Sequence, residues 1–163
     1  MNSKASQILH YGWEFQRSNT DSWHSATVPG CVHLDLIAND LIPDPFFGLN
    51  ESQLQWISNK SWTYRLVFQP SSKVFSKKNI EILFHGLDTY ADVFLNGTTV
   101  ICANNMFHPW SAEIKDTISA GDNELLVQFR SPLKEVVEKM KSMDYTLPAD
   151  NDQVGKTSPH TRK

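Results

Sequence analysis

Apolar and polar positions alternate in short bursts along this chain, and each burst is ended by turn residues. The longest burst runs from Trp62 to Phe68. Trp62, Tyr64, Leu66 and Phe68 fall on one side and Thr63, Arg65 and Val67 on the other, the period of a strand with one buried face. Leu125, Val127 and Phe129 alternate in the same way with Leu126, Gln128 and Arg130. Shorter bursts from Trp13 to Phe15, Trp23 to Val28, Ile80 to Phe84, Tyr90 to Leu95, Thr98 to Ile101 and Trp110 to Ile114 predict further strands. Asn96-Gly97 separates two of them. Both residues accept the positive φ of a type I′ turn, so a two-residue hairpin is expected there.

Helical spacing occurs twice. Val32/Leu36 and His33/Ile37 stand at i,i+4, with Asn39-Asp40 as the stop, which predicts a two-turn helix over Val32 to Ala38. A helix that short is held by packing rather than by propensity. Pro132 follows Ser131 as a first helical residue follows its cap, and Leu133, Val136, Val137 and Met140 form an apolar stripe. Between Ile42 and Asn50 the prolines Pro43 and Pro45 exclude regular structure, so an ordered loop is expected, with Phe46 and Phe47 burying against the sheet. Glu51 to Ile57 reads as loop or helical turn anchored by Leu54, Trp56 and Ile57, and Ser71 to Asn79 as a surface connection. Beyond Tyr145 no apolar period remains, and residues 146–163 are expected to form an extended mobile tail. The sum is an all-β sandwich with one or two short peripheral helices.

Composition narrows the classes without choosing one. The 163 residues suit a single domain, and a hydrophobic share of 40% beside 20% charged residues is that of a globular chain. A formal charge of −3 argues against a general nucleic-acid binder. No apolar run approaches the roughly 18 residues of a membrane span, and the N-terminus lacks the apolar region of an intact signal peptide. Cys31 and Cys102 lack metal or redox spacing and are expected to be small buried hydrophobes. The six histidines are scattered, with no H-x-x-x-H or H-E-x-x-H, and neither a phosphate loop nor G-x-S-x-G is present. No metal and no cofactor are therefore expected.

Paired carboxylates can hydrolyse a glycosidic bond, but nothing in the spacing of Asp35, Asp44, Glu51, Asp88, Asp92 and Glu113 singles out a pair. Asp88 reads as a turn residue whose side chain bonds nearby backbone N–H groups. Trp110 and Trp56 flank loops and are candidates for carbohydrate contact, with Asn105 beside Trp110, although core packing is the commoner fate of tryptophan. Asn50, Asn59 and Asn96 each open an N-x-S/T triplet.

Five stretches occur in order: VPGCVHLDL (Val28 to Leu36), LIPDPFFGLNE (Leu41 to Glu51), LQWI (Leu54 to Ile57), GLDTYADVFLNG (Gly86 to Gly97) and NMFHPW (Asn105 to Trp110). Together they closely resemble the N-terminal domain of the β-mannosidases of glycoside hydrolase family 2. The resemblance implies a galactose-binding-like jelly roll beside a catalytic (β/α)8 barrel that removes terminal β-D-mannose with retention. It implies that both catalytic glutamates lie in the barrel, so no residue here is expected to be catalytic. Asp88, Asn96 and Gly97 remain structural. The family's pattern continues into a Trp-Asp-Trp-Gly-Pro segment and a further strand. A truncated sandwich over residues 1–163, missing its last strand and poorly stable alone, is therefore expected. The expected partners are a β-mannoside or manno-oligosaccharide in the full enzyme and the rest of the same polypeptide, not nucleic acid or membrane. A free-standing carbohydrate-binding module and a structural domain without a ligand are the alternatives. The compartment stays open, since members of the family are periplasmic or secreted, lysosomal or cytoplasmic.

Overall fold

The computed structural model describes residues 4–142 and residue 144, so the expected tail over 146–163 lies outside the described residues. Among the described residues eight strands form: β1 (Glu14–Arg17), β2 (His24–Ser25), β3 (Trp62–Phe68), β4 (Glu81–Phe84), β5 (Ala91–Leu95), β6 (Thr98–Ala103), β7 (Trp110–Glu113) and β8 (Asn123–Phe129). Six of them make one antiparallel sheet in the order β2-β1-β3-β8-β5-β6, and β4 and β7 pair as a second. Inward rows cross the large sheet in register. Tyr64 faces Val127, which faces Val93, and Leu66 faces Leu125, which faces Leu95. These side chains, with Phe15, Ala91, Ile82 and Ile114, are buried and form one core between the sheets. The strand alternation expected from sequence is what places them there.

The β5–β6 hairpin closes as its Asn-Gly requires, with φ of 50° at Asn96 and 80° at Gly97, and Leu95 opposite Thr98. A bulge between Val93 and Phe94 then shifts the register.

Helices are α1 (Val32–Ala38), α2 (Asn50–Gln53), α3 (Ser72–Phe75) and α4 (Pro132–Lys141), with a 3-10 turn at Ile57–Asn59. The bounds of α1 match the expectation. The segment from Ser71 to Asn79 differs from it: Ser71 caps a helical turn by accepting from the Val74 backbone N–H at 3.4 Å. Phe46 and Phe47 also differ, being 96% and 76% exposed. Their loop is folded by polar bonds instead, with the Phe46 N–H donating to Asp44 Oδ1 and the Asn50 amide to the Asp44 carbonyl, both at 2.9 Å. Cys31 and Cys102 are free and exposed rather than buried. Cys31 precedes α1 at its cap position, and Cys102 falls on the outward side of β6 between buried Ile101 and Ala103.

α1 is fastened by a buried carboxylate. Asp35 accepts the Thr27 backbone N–H at 2.8 Å on one oxygen and the Tyr64 hydroxyl at 2.7 Å on the other. Asn39 donates to the carbonyls of Ser25 and Asp35, tying the end of the helix to β2. Only polar contacts this complete make a buried carboxylate tolerable.

Burial, and after it the bond to Asp35, raises the Tyr64 hydroxyl well above its ordinary value. A phenol raised in the folded state contributes stability that is fully present below its unfolded value of about 10 and is lost as pH rises beyond it. Tyr64→Phe, which leaves Asp35 Oδ2 without its donor, is expected to cost about 1–3 kcal/mol in urea unfolding at neutral pH. It is also expected to flatten the decline in stability above about pH 10. An equally steep alkaline decline in both proteins would assign that decline to other groups.

Candidate functional site

The residues proposed from sequence fall into two separate constellations. One is a rim built by the turn before β5 and the loop between β6 and β7. Asn105 accepts the Phe107 backbone N–H at 2.9 Å on its side-chain oxygen, and its carbonyl accepts the Trp110 indole N–H at 2.8 Å. The His108 ring lies 4.5 Å from that of Trp110, and its Nδ1 donates to the Pro109 carbonyl at 2.8 Å. Trp110 is half-buried and packs against the core, so much of its ring is committed to the fold. Phe107, 87% exposed, projects from the same loop. The Thr89 hydroxyl joins the two parts of the rim, 4.0 Å from the Met106 sulfur.

Asp88 is exposed on this rim, and its carboxylate accepts from the Thr89 hydroxyl. The Asn96 side chain is fully spent on hydrogen bonds within the fold. Its amide nitrogen donates to the Thr117 carbonyl at 2.9 Å and to Asn123 Oδ1 at 2.8 Å, while its oxygen accepts the Glu124 N–H at 2.9 Å. A glycan on Asn96 would displace those bonds. Gly97 completes the hairpin turn.

Trp56 belongs elsewhere. It caps the 3-10 turn beside Trp62, with ring centroids 6.1 Å apart, and lines a cavity together with Phe15, Arg17, Ser22 and His24. Pattern reading missed these last four as partners because they come from β1, β2 and the turn between them. It also missed the outward cluster of Phe46, Phe47 and Leu49. The signal available there was Asp44 set between two prolines, which marks a turn that folds by its own polar bonds.

Several carboxylates are individually engaged. Arg130 bonds Asp92 and, at 2.9 Å, Glu135. Arg65 bonds Glu14 at 2.7 Å, and Glu113 accepts the Ile80 N–H at 2.7 Å. Hydrogen bonding to Asp92 first, against some desolvation, raises the Arg130 guanidinium further, which keeps this cluster ionic. Among the described residues no group of three or more His, Cys, Asp or Glu side chains is placed to hold a metal ion.

Residues 13–163 match the family model described as glycosyl hydrolase 2 galactose-binding domain-like. A beta-mannosidase B from Thermothelomyces thermophilus is 42% identical over 126 residues, covering 76% of this chain and 15% of that protein. A beta-mannosidase B from Emericella nidulans is 38% identical over 146 residues, covering 86% of this chain and 17% of the relative. Among solved structures, a beta-D-mannosidase from Dictyoglomus thermophilum superposes with a TM-score of 0.85 at 40% identity, covering 94% of this chain and 19% of that one. The chain thus spans a small part of the length of the relatives it matches.

Asn96→Ala removes three hydrogen bonds and places a Cβ-branched-free but non-glycine residue at positive φ, so a loss of about 2–4 kcal/mol is expected in urea unfolding. Asp88→Ala, on the exposed rim, is expected to stay within about 1 kcal/mol. The reverse ranking would make Asp88 the structural residue of the pair.

Proposed function

The chain belongs to the glycosyl hydrolase 2 galactose-binding domain-like family, and on that premise we propose that it is the non-catalytic N-terminal sandwich of a β-mannosidase-like exo-glycosidase. In this role it braces a larger catalytic domain and contributes part of the wall around that domain's pocket. The substrate class, terminal β-mannosides, follows from the names of the similar proteins. The greater part of each relative's length lies outside the matched segment, so there is a body of chain for such a sandwich to brace.

One observation carries the bracing role. Phe46, Phe47 and Leu49 are 96%, 76% and 81% exposed on a loop that polar bonds hold in shape. Apolar side chains scattered singly on a surface are ordinary, but three within four residues on a pre-formed loop are the anchor pattern of an interface. A loop already ordered loses little conformational entropy when it docks. The engagement of Asp35, Asp92 and Glu113 in hydrogen bonds and an ion pair supports the non-catalytic half of the reading.

The test is a chimera in which this chain replaces the matching segment of the Dictyoglomus thermophilum enzyme. It is expected to hydrolyse p-nitrophenyl β-D-mannopyranoside, whereas the chain alone gives only background. Phe46→Ser, Phe47→Ser and Leu49→Ser together are expected to shorten the chimera's half-life at its working temperature by about tenfold or more, since each anchor is worth about 1.5–3 kcal/mol when buried. The same changes should leave the isolated chain's melting temperature nearly unmoved. Turnover by the isolated chain would overturn the non-catalytic assignment, and an unchanged half-life would overturn the bracing one.

A further inference from the structure

Asn96-Gly97 is the one Asn-Gly step in the sequence, and that pair carries a chemistry of its own. In an unfolded chain the backbone nitrogen after an asparagine can attack the side-chain amide carbon. A glycine there puts no Cβ in the way. The new C–N bond closes a five-membered succinimide, the amide C–N bond breaks, and ammonia leaves with the proton of the attacking nitrogen. Water then opens the ring. The products are aspartate, with the original peptide bond restored, or isoaspartate, with the main chain rerouted through the side chain. Water and a base are the only co-reactants.

The fold restrains the amide from that reaction. Ring closure needs the Asn96 side chain to swing toward the Gly97 nitrogen, and hydrogen bonds hold it on Thr117, Asn123 and Glu124 instead. The Asn96 N–H also donates to the Glu124 carbonyl at 2.9 Å, so backbone and side chain are tied to the same strand entry. Both protons of the amide are spent, which makes the product a poor substitute. An aspartate is acceptor-only, and it would present a negative charge to the Thr117 carbonyl and Asn123 Oδ1, two acceptors. Asn123 is not free to turn its nitrogen toward the newcomer. It is buried, its oxygen accepts the Ser119 N–H at 2.7 Å, and its nitrogen donates to the carbonyls of Ser119 and Gly121 at 3.0 and 2.8 Å. Isoaspartate is worse, since it adds a methylene to a two-residue loop that sets Leu95 opposite Thr98. We propose that Asn96 is a deamidation site guarded by the folded hairpin. An opening of the β5–β6 turn long enough for the ring to close is thereby made irreversible. The working lifetime of the sandwich is then governed by how often this turn opens, not by its equilibrium stability alone.

The full chain and the chimera described above are incubated at mildly alkaline pH, each with and without concentrated guanidinium chloride. Peptide mass spectrometry follows conversion at Asn96, and isoaspartyl methyltransferase labelling counts the rerouted product. Conversion is expected to be at least about tenfold slower in the native samples, the ratio that an opening free energy of about 1.4 kcal/mol sets. Including the chimera keeps this comparison independent of how stable the chain is by itself. Native material is then aged and separated by anion exchange, because each conversion adds one negative charge. The converted fraction is expected to unfold at a lower denaturant concentration than the unconverted one. Asn96→Asp, which supplies one product directly, is expected to unfold early in the same way. Equal conversion rates in native and denatured samples of both proteins would overturn the proposal. So would a converted fraction, or an Asn96→Asp chain, that unfolds together with the wild type.

Discussion

Strand β8 is shared between two partners, and the rest of the sandwich depends on that sharing. All seven of its residues pair with β3, and five of them also pair with β5. Without β8 the N-terminal strands and the β5–β6 hairpin would have no common sheet. The pairing also sets which side chains meet: Val127 and Leu125 stand between Tyr64 and Leu66 on one side and Val93 and Leu95 on the other. A slip by one residue would turn that whole row outward. The beginning of β8 is pinned against such a slip. Asn123 accepts from the Ser119 N–H at 2.7 Å, donates to the carbonyls of Ser119 and Gly121, and receives the Asn96 amide. The hairpin turn and the entry to β8 are thereby one hydrogen-bonded unit.

With the core fixed between the sheets, the functional surface is left to loops, and their order has a different source. The loop from Ile42 to Asn50 is shaped by Asp44 and Asn50, and the loop from Asn104 to Pro109 by Asn105. In both cases an Asx side chain bonds the backbone two residues on, so the turn holds without burying the aromatics beside it. Phe46, Phe47 and Phe107 are therefore free to face outward. Polar bonds form the loop, and apolar side chains remain available for a partner.

The difference between what was legible and what was not follows the same division. Strands whose alternation decides burial could be read closely: β3 and α1 begin and end where their patterns predict, and Asn96-Gly97 turns as its φ preferences require. Burial of individual side chains in loops could not be read, because it depends on whether the backbone is satisfied locally. Phe46 and Phe47 were expected inside for that reason, and Cys31 and Cys102 were expected to behave as their residue type usually does. α3 was hidden because one turn of helix in a lysine-bearing segment has no period to detect. The Trp56 cavity was hidden more deeply, since Phe15, His24 and Trp62 meet only when β1 pairs with β2 on one side and β3 on the other.

The stretch from Gly86 to Gly97 is spent on the fold. Ala91, Val93 and Leu95 are fully buried, Asp92 is held by Arg130, and Asn96 is committed to three bonds. Those side chains are spent on the core and the turn of the sandwich itself. Glycoside hydrolysis with retention needs something different: two carboxyl groups about 5–5.5 Å apart across an open cleft, one of them able to give up a proton. A carboxylate locked to an arginine or buried under a tyrosine hydroxyl has neither the open face nor the freedom to exchange that proton. Stability and reactivity make opposite demands on the same functional group. Acids spent on the first are closed to the second, and what these loops turn outward instead is aromatic: Phe46, Phe47 and Phe107.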